Sequence, residues 1–325
     1  MREEVCRLLG APAFILPYFH VFATAEEMRV VAAVGADPRD ASAVAALLGG
    51  TDDEVQALLR QAYRHWLLNR EMRDGAARYC IGRFYDVLNW FCLFGNYHVL
   101  PARIREELDQ WCFEEYLRKN DYFRKVMESP PEYADCHNEW ILQLSEAEEM
   151  IDAASAIRLR PCDCKMLADR CDHSRDICLV LDKERVSDRT DGRDLSPDQA
   201  KSLLRALDKE GLIRTGGPPD WKTRGPSVIC NCCTCCCYPF RAAERLGTKG
   251  RWPKSRFVAR HEAVACAGCL RCVSRCPFHA FTAGAGDGAR AARPRVILNP
   301  ELCWGCGLCV SACPSHALHL DPIVA

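Results

Sequence analysis

A duplicated cysteine loop constrains this chain more than any other feature. Cys266-Ala-Gly-Cys269-Leu-Arg-Cys272-Val-Ser-Arg-Cys276-Pro277 returns 37 residues later as Cys303-Trp-Gly-Cys306-Gly-Leu-Cys309-Val-Ser-Ala-Cys313-Pro314. Both copies read C-x2-C-x2-C-x3-C-P. In that spacing three thiolates on a tight loop reach three irons of a cubane, while the fourth points away to a second cluster. Cys266, Cys269, Cys272 and Cys313 are therefore expected to hold one [4Fe-4S] cluster, and Cys303, Cys306, Cys309 and Cys276 the other. Gly268, Gly305 and Gly307 suit close approach of backbone N–H groups to sulfur. A pair of zinc knuckles is the rival, but zinc has no use for four cysteines followed by proline. His279 and His316 also repeat at the same offset. Each is either a solvated surface histidine or a group tuning a cluster. Trp304, beside a ligand, reads as cluster shielding.

The wider composition agrees with metal. The 23 cysteines are an odd number crowded into the second half of a 325-residue chain, too large for a typical disulfide scaffold. Lys and Arg number 43 against 44 Asp and Glu, so no overall field draws the molecule to nucleic acid or anionic lipid. Phe14 to Phe22 is apolar enough to suggest a secretion signal, but Met1-Arg2-Glu3-Glu4 is the wrong start for one, and Pro17 and His20 interrupt the stretch. No segment approaches the length of a membrane span. A cytoplasmic location is expected.

Residues 257–325 resemble a bacterial two-cluster ferredoxin domain. The resemblance implies a small α+β fold of two pseudo-symmetric halves, whose cubanes cycle between their 2+ and 1+ states at low potential. Ala280-Phe281-Thr282 and Arg295-Val296-Ile297-Leu298 read as short strands either side of a Gly- and Ala-rich turn.

Upstream, residues 157–250 carry ten more cysteines: Cys162, Cys164, Cys171 and Cys178, then Cys230, Cys232, Cys233, Cys235, Cys236 and Cys237. Six fall within eight residues and cannot all converge on one point from a regular backbone. One or two further [4Fe-4S] clusters, a four-thiolate zinc site, a reactive vicinal pair at Cys236-Cys237 and inert buried thiols all remain open here. His173 is either an extra ligand or a local turn contact. Between the two groups, Ser196-Pro197-Asp198-Gln199 reads as a capping box opening a helix that ends at Gly211, a spacer expected to bring the groups together. The order Pro161-Cys-Asp-Cys, a spaced pair, an Asp-Gly-Arg turn, this helix and Ile-Cys-Asn-Cys-Cys-x-Cys-Cys-Cys is similar to a family of uncharacterised ferredoxin-type proteins of anaerobic bacteria. That resemblance implies electron transfer through further iron–sulfur centres, with Lys165 standing where an Arg sometimes follows the Cys-x-Cys.

The amino-terminal half shows helices at 25–34, 41–48 and 51–66, and a hairpin around Asp74-Gly75. Three helices and a hairpin resemble a winged helix. Its third helix opens on acids that would face phosphate, which favours protein docking or a structural role over nucleic acid. From 84 to 156 the pattern is helical and aromatic-rich, and Cys6, Cys80, Cys92, Cys112 and Cys136 show no ligand spacing.

The expectation is thus a multidomain α+β protein: a winged-helix-like domain over 1–95, a helical region over 96–156, a Cys-rich metal-binding domain over 157–250 and a two-cluster ferredoxin domain over 257–325. There is no G-x-G-x-x-G after a strand and no P-loop. The expected function is an electron-transfer protein or subunit working with donor and acceptor redox proteins. The alternatives are an iron–sulfur reductase with its site in the middle block and a redox-sensing winged-helix regulator.

Overall fold

The protein is described from a computed structural model over residues 1–73, 75–119, 140–182, 189, 192–217, 220–285 and 294–323. It is mixed α and β with small sheets, in two compact units: Met1–Arg118 with Met166–Ala168, and Lys119–Lys165 with Asp169–Ala325. Among the described residues no helix is long and apolar enough to cross a membrane.

In the first unit the helices Ala25–Val34, Ala41–Leu48 and Asp52–Arg64 precede an antiparallel hairpin of β1 (Leu68–Arg73) and β2 (Ala76–Ile81). Asp74, half of the expected turn, lies outside the described residues. Each helix starts where a side-chain oxygen can accept an orphan backbone N–H: Thr24 from Glu27, Asp40 from Ala43 and Thr51 from Glu54. The apolar stripe of the third helix buries Val55, Leu59 and Ala62. The helix Phe84–Phe94 adds an aromatic core in which Phe22 packs 5.1 Å from Phe84 and 4.6 Å from Phe91. Cys6, Cys92 and Cys112 are buried fillers and Cys80 is half-buried. Cys136, Tyr122 and Phe123 lie outside the described residues.

One carboxylate is built into this core. Glu27, 1 % exposed, accepts from Thr24 N at 2.8 Å, from Gln61 Nε2 at 3.2 Å and from His65 Nδ1 at 2.6 Å. Burial alone would raise its pKa, but the hydrogen bonds from His65 and Thr24 outweigh it and hold the carboxyl below its ordinary range.

The second unit is organised by a six-stranded antiparallel sheet in the order β3-β7-β8-β5-β4-β6. Its strands are β3 (Trp140–Ile141), β4 (Ile157–Pro161), β5 (Asp176–Leu181), β6 (Arg193–Asp194), β7 (Ile213–Gly217) and β8 (Val228–Cys232). The spacing of these segments predicts no sheet, and 140–156 is expected in a separate helical region; instead Trp140–Ile141 is the edge strand, and the helix Leu144–Ala153 packs with Pro197–Glu210 over one sheet face. Leu159, Leu179, Leu181 and Ile229 point into that helical layer. Because side chains alternate along a strand, Cys178, Cys230 and Cys232 project from the opposite face. The capping box at Ser196 forms, and Gly211 ends the helix in a left-handed turn.

The tail completes this unit. β9 (Phe257–His261) pairs with β12 (Leu318–Pro322), and β10 (Phe281–Gly284) with β11 (Arg295–Leu298), as the two short strands required. The turn at 286–293 lies outside the described residues. Leu270 and Gly307, and His279 and His316, each pair separated by one repeat, all adopt positive φ. The two halves therefore share backbone geometry as well as sequence.

Replacing Glu27 by Gln removes a carboxylate that receives three hydrogen bonds. It is expected to lower the stability of the first unit by about 2 kcal/mol in denaturant unfolding at neutral pH. The native carboxyl titrates below its unfolded value. Its contribution is therefore fully present above the ordinary carboxylate range and disappears as pH falls through the lowered value, so the wild type and Glu27→Gln should converge in acid.

Candidate metal centres

In the tail, each ligand loop is a cysteine sulfur surrounded by main-chain donors. Gly268 N donates to Cys266 Sγ at 3.4 Å, Ala280 N to Cys276 Sγ at 3.4 Å, and both Ala259 N and Gly305 N to Cys303 Sγ at 3.3 Å. Cys272 sits in electrostatic range of Cys266 and Cys269, and burial pushes its thiol up to about 11. Cys306 and Cys309 are in range of Cys303 and of Cys276 from the other repeat, and burial raises both, Cys306 to about 12. Cys313 is held below the ordinary thiol range, hydrogen bonds from Ser315 and nearby backbone N–H groups outweighing its burial.

Among the described residues two sets of donors have all members within 4.8 Å of one another, and no tail thiol is in either. A cubane holds its cysteine sulfurs about 6 Å apart. Eight thiols with main-chain donors at the sulfur of three of them fit the binding of 4Fe-4S clusters.

The second loop depends on a glycine. Gly305 has φ of 61°, and a Cβ there would lie 2.0 Å from the Phe257 carbonyl oxygen. Gln143 Nε2 donates to the Gly305 carbonyl at 2.7 Å, tying the loop to the sheet domain.

The middle block divides its ten thiols into two groups. Cys162, Cys164, Cys178, Cys230, Cys232 and Cys237 form a chain of neighbours, with Cys237 and Cys164 again in electrostatic range of each other. They line one basin on the sheet face opposite the helical layer. Thiol hydrogen bonds from Cys164 and Cys178 hold Cys162 well below the ordinary range, and those from Cys230 and Cys237 do the same for Cys232. Cys164, Cys178 and Cys230 are raised chiefly through those thiol contacts, and Cys237 chiefly by burial. The other group is Cys171, Cys233, Cys235 and Cys236. Cys236 and Cys237, neighbours in sequence, are both unpaired by disulfide and serve different groups. His173 bonds to Glu210 Oε1 at 3.1 Å, a long-range contact and not a turn.

Several residues that position these groups carry no motif. Lys165, 2 % exposed, donates to the carbonyls of Ser174 at 3.2 Å and Asn231 at 3.4 Å, and its charge lowers both Cys162 and Cys233. Thr215 Oγ1 lies 3.5 Å from Cys232 Sγ. Arg214 forms a buried pair with Asp208 at 2.6 Å, and its second nitrogen donates to the Cys306 carbonyl at 3.4 Å. Trp304 stacks on Phe278 at 5.0 Å and meets Phe240 edge-on at 5.3 Å. These rings share one buried cluster with Cys232, Cys237 and Cys306, so an aromatic wall joins the basin to the second loop. The spacing of apolar residues along β5 and β8 was the available signal for the sheet that builds this basin.

The family model of the 4Fe-4S dicluster domain matches residues 265–317. Comparison with curated proteins and with solved structures finds no match. The chain therefore carries a 4Fe-4S dicluster domain at its C-terminal end, and the cysteine groups upstream lie outside the matched segment.

Gly305→Ala is expected to cost on the order of 3 kcal/mol, from the left-handed backbone and the clash with Phe257, and to reduce iron content. Denaturant unfolding and an iron assay check both. His279 and His316 are exposed, with φ of 54° and 51°. If their role is to make the turn, glycine at either position should hold stability within about 1 kcal/mol, whereas valine should lower it by about 1–2 kcal/mol.

Proposed function

We propose that this chain is an iron–sulfur electron carrier, or the electron-transfer subunit of a larger oxidoreductase system, passing single low-potential electrons between protein partners. The observation that carries the reading is the second thiol set of the tail, in which Cys276 of one repeat stands beside Cys306 and Cys309 of the other, inside the segment matched by the dicluster family. Bound in two such sets, [4Fe-4S] clusters each take up and release one electron with little change in bonding. Cys266, Cys269, Cys272 and Cys313 are assigned to one cluster, and Cys303, Cys306, Cys309 and Cys276 to the other.

The protein's own part is to keep the sulfurs dry, charged and positioned. Apolar side chains including Phe281, Val296 and Leu318 pack around the tail cysteines. Cys269 is exposed, and Val264 on the same loop is 87 % exposed, which supports reading this end as the side for a redox partner. At the other end the Trp304 wall leads to the six-thiol basin, which we assign to a further redox centre on the same route. The three-helix-and-hairpin unit is read as a winged-helix-like docking module. The acids that open its third helix argue against nucleic acid, Glu54 being engaged in the cap with Thr51. So many reduced thiols suit the cytoplasm.

Protein purified without oxygen should carry about eight irons and eight sulfides per chain from the tail alone, and Cys266→Ala should lose about half of these while the first unit stays folded. Equal iron in variant and wild type would remove the ligand assignment. Charge beside the second loop should tune its potential in opposite directions. Arg214→Gln, removing a cation near Cys306, is expected to lower a midpoint potential by some tens of millivolts, and Asp208→Asn to raise it. Titration followed by electron paramagnetic resonance reads both, and shifts of the same sign would count against a redox centre at Cys306.

A further inference from the structure

The two thiol groups of the middle block differ in scale as well as in membership. Cys171 Sγ lies 3.8 Å from Cys233 Sγ and 3.6 Å from Cys236 Sγ, and Cys235 Sγ lies 3.8 Å from Cys236 Sγ. All four sulfurs fall within 4.8 Å of one another. Four thiolates around one tetrahedral ion, with metal–sulfur bonds of about 2.3 Å, stand about 3.8 Å apart. Four thiolates on a cubane stand about 6 Å apart, because the iron and sulfide core lies between them. The tail supplies the comparison within the same chain, since none of its eight thiols joins a set this tight. The separations are also far too long for a sulfur–sulfur bond, and all four cysteines are free.

We propose that Cys171, Cys233, Cys235 and Cys236 form a mononuclear four-thiolate site for one tetrahedral divalent ion, Zn²⁺, separate from any iron–sulfur centre. Three ligands come from the single turn after β8, and the fourth from the loop between the helix Asp163–Ala168 and β5. That loop is already anchored by Glu210, which accepts from Ser174 N at 2.6 Å and Ser174 Oγ at 2.7 Å. Binding displaces the thiol protons to solvent and leaves four thiolates on a dication, a net charge of minus two. The buried Lys165 ammonium supplies a positive charge on the Cys233 side. The backbone of Arg170 hydrogen-bonds to Cys236. Cys233 and Cys236 are buried and the other two half-buried, and four protein ligands leave no open position. The ion is therefore structural. It fixes the turn from which Cys232 and Cys237 enter the six-thiol basin.

The site stands whether or not the tail carries electrons, and its test does not depend on that reading. The full chain is purified anaerobically from medium containing both iron and zinc, then assayed for zinc, iron and sulfide, with X-ray absorption at the zinc edge. One zinc per chain with four sulfur neighbours near 2.3 Å and no metal neighbour is expected. Cys171→Ser and Cys235→Ser should each lose that ion and leave sulfide unchanged, whereas Cys178→Ser, in the basin, should retain it. One iron without sulfide in the same position, lost in the same two variants, supports the same mononuclear site with iron in it. Loss of about four irons and four sulfides from Cys235→Ser, or loss of the ion from Cys178→Ser, overturns the proposal. Should the serine variants fail to fold by circular dichroism, the absorption spectrum of the wild type still decides: a metal neighbour, or fewer than four sulfurs, rejects the site.

Discussion

Sulfur crowded against sulfur is the constraint around which the second unit is organised. Neighbouring thiols cannot all ionise, and around the basin hydrogen bonds between thiols hold Cys162 and Cys232 down, while Cys164, Cys178 and Cys230 are raised by the same contacts and Cys237 by burial. The protein supplies positive charge beside Cys162 and Cys233 through buried Lys165, and in the tail it aims backbone N–H groups at the Cys303 sulfur. The sheet, its covering helices and the aromatic wall hold these sulfurs together in dry surroundings.

Legibility followed contiguity. The tail could be read because each loop packs its ligands into eleven residues and then repeats, so spacing alone implies geometry. The helices of the first unit were equally plain, as their caps and stripes are local, and the strands flanking the 286–293 turn fell where short apolar runs suggested. The six-stranded sheet was missed for a physical reason. Two of its strands are two residues long, and its central strands carry cysteine where an alternating pattern would show polar residues. Read as a sheet, Asp176-Ile-Cys-Leu-Val-Leu181 and Val228-Ile-Cys-Asn-Cys232 each alternate between a helix-packed face and a thiol face. Read as a ligand run, they do not. The division of the ten thiols into six and four was beyond sequence reasoning, because it depends on the pairing of β5 with β8.

The groups that tune the sulfurs are likewise tertiary. Asp208 and Lys209 at the end of one helix meet Arg214 on β7 and Arg275 of the first ligand loop, so a buried ion pair and a main-chain contact bind the sheet domain to the tail. Such a pair adds little net stability, but losing one partner strands a charge in a dry interior, which makes the relative placement of the two domains specific. Gln143 bonding to the Gly305 carbonyl, and Ser255 to the Trp304 carbonyl at 2.8 Å, hold the second loop in the same way.

The run from Cys230 to Cys237 interleaves its loyalties: Cys230, Cys232 and Cys237 face the basin, while Cys233, Cys235 and Cys236 turn to the tighter group. Consecutive links of one short stretch are thus pulled towards two different anchors, like a lace threaded through alternate eyelets. One short stretch of backbone thus carries ligands of both groups, and the place of each sulfur in one group is fixed relative to those of the other. Inserting or deleting a single residue here would move every sulfur downstream out of its present place.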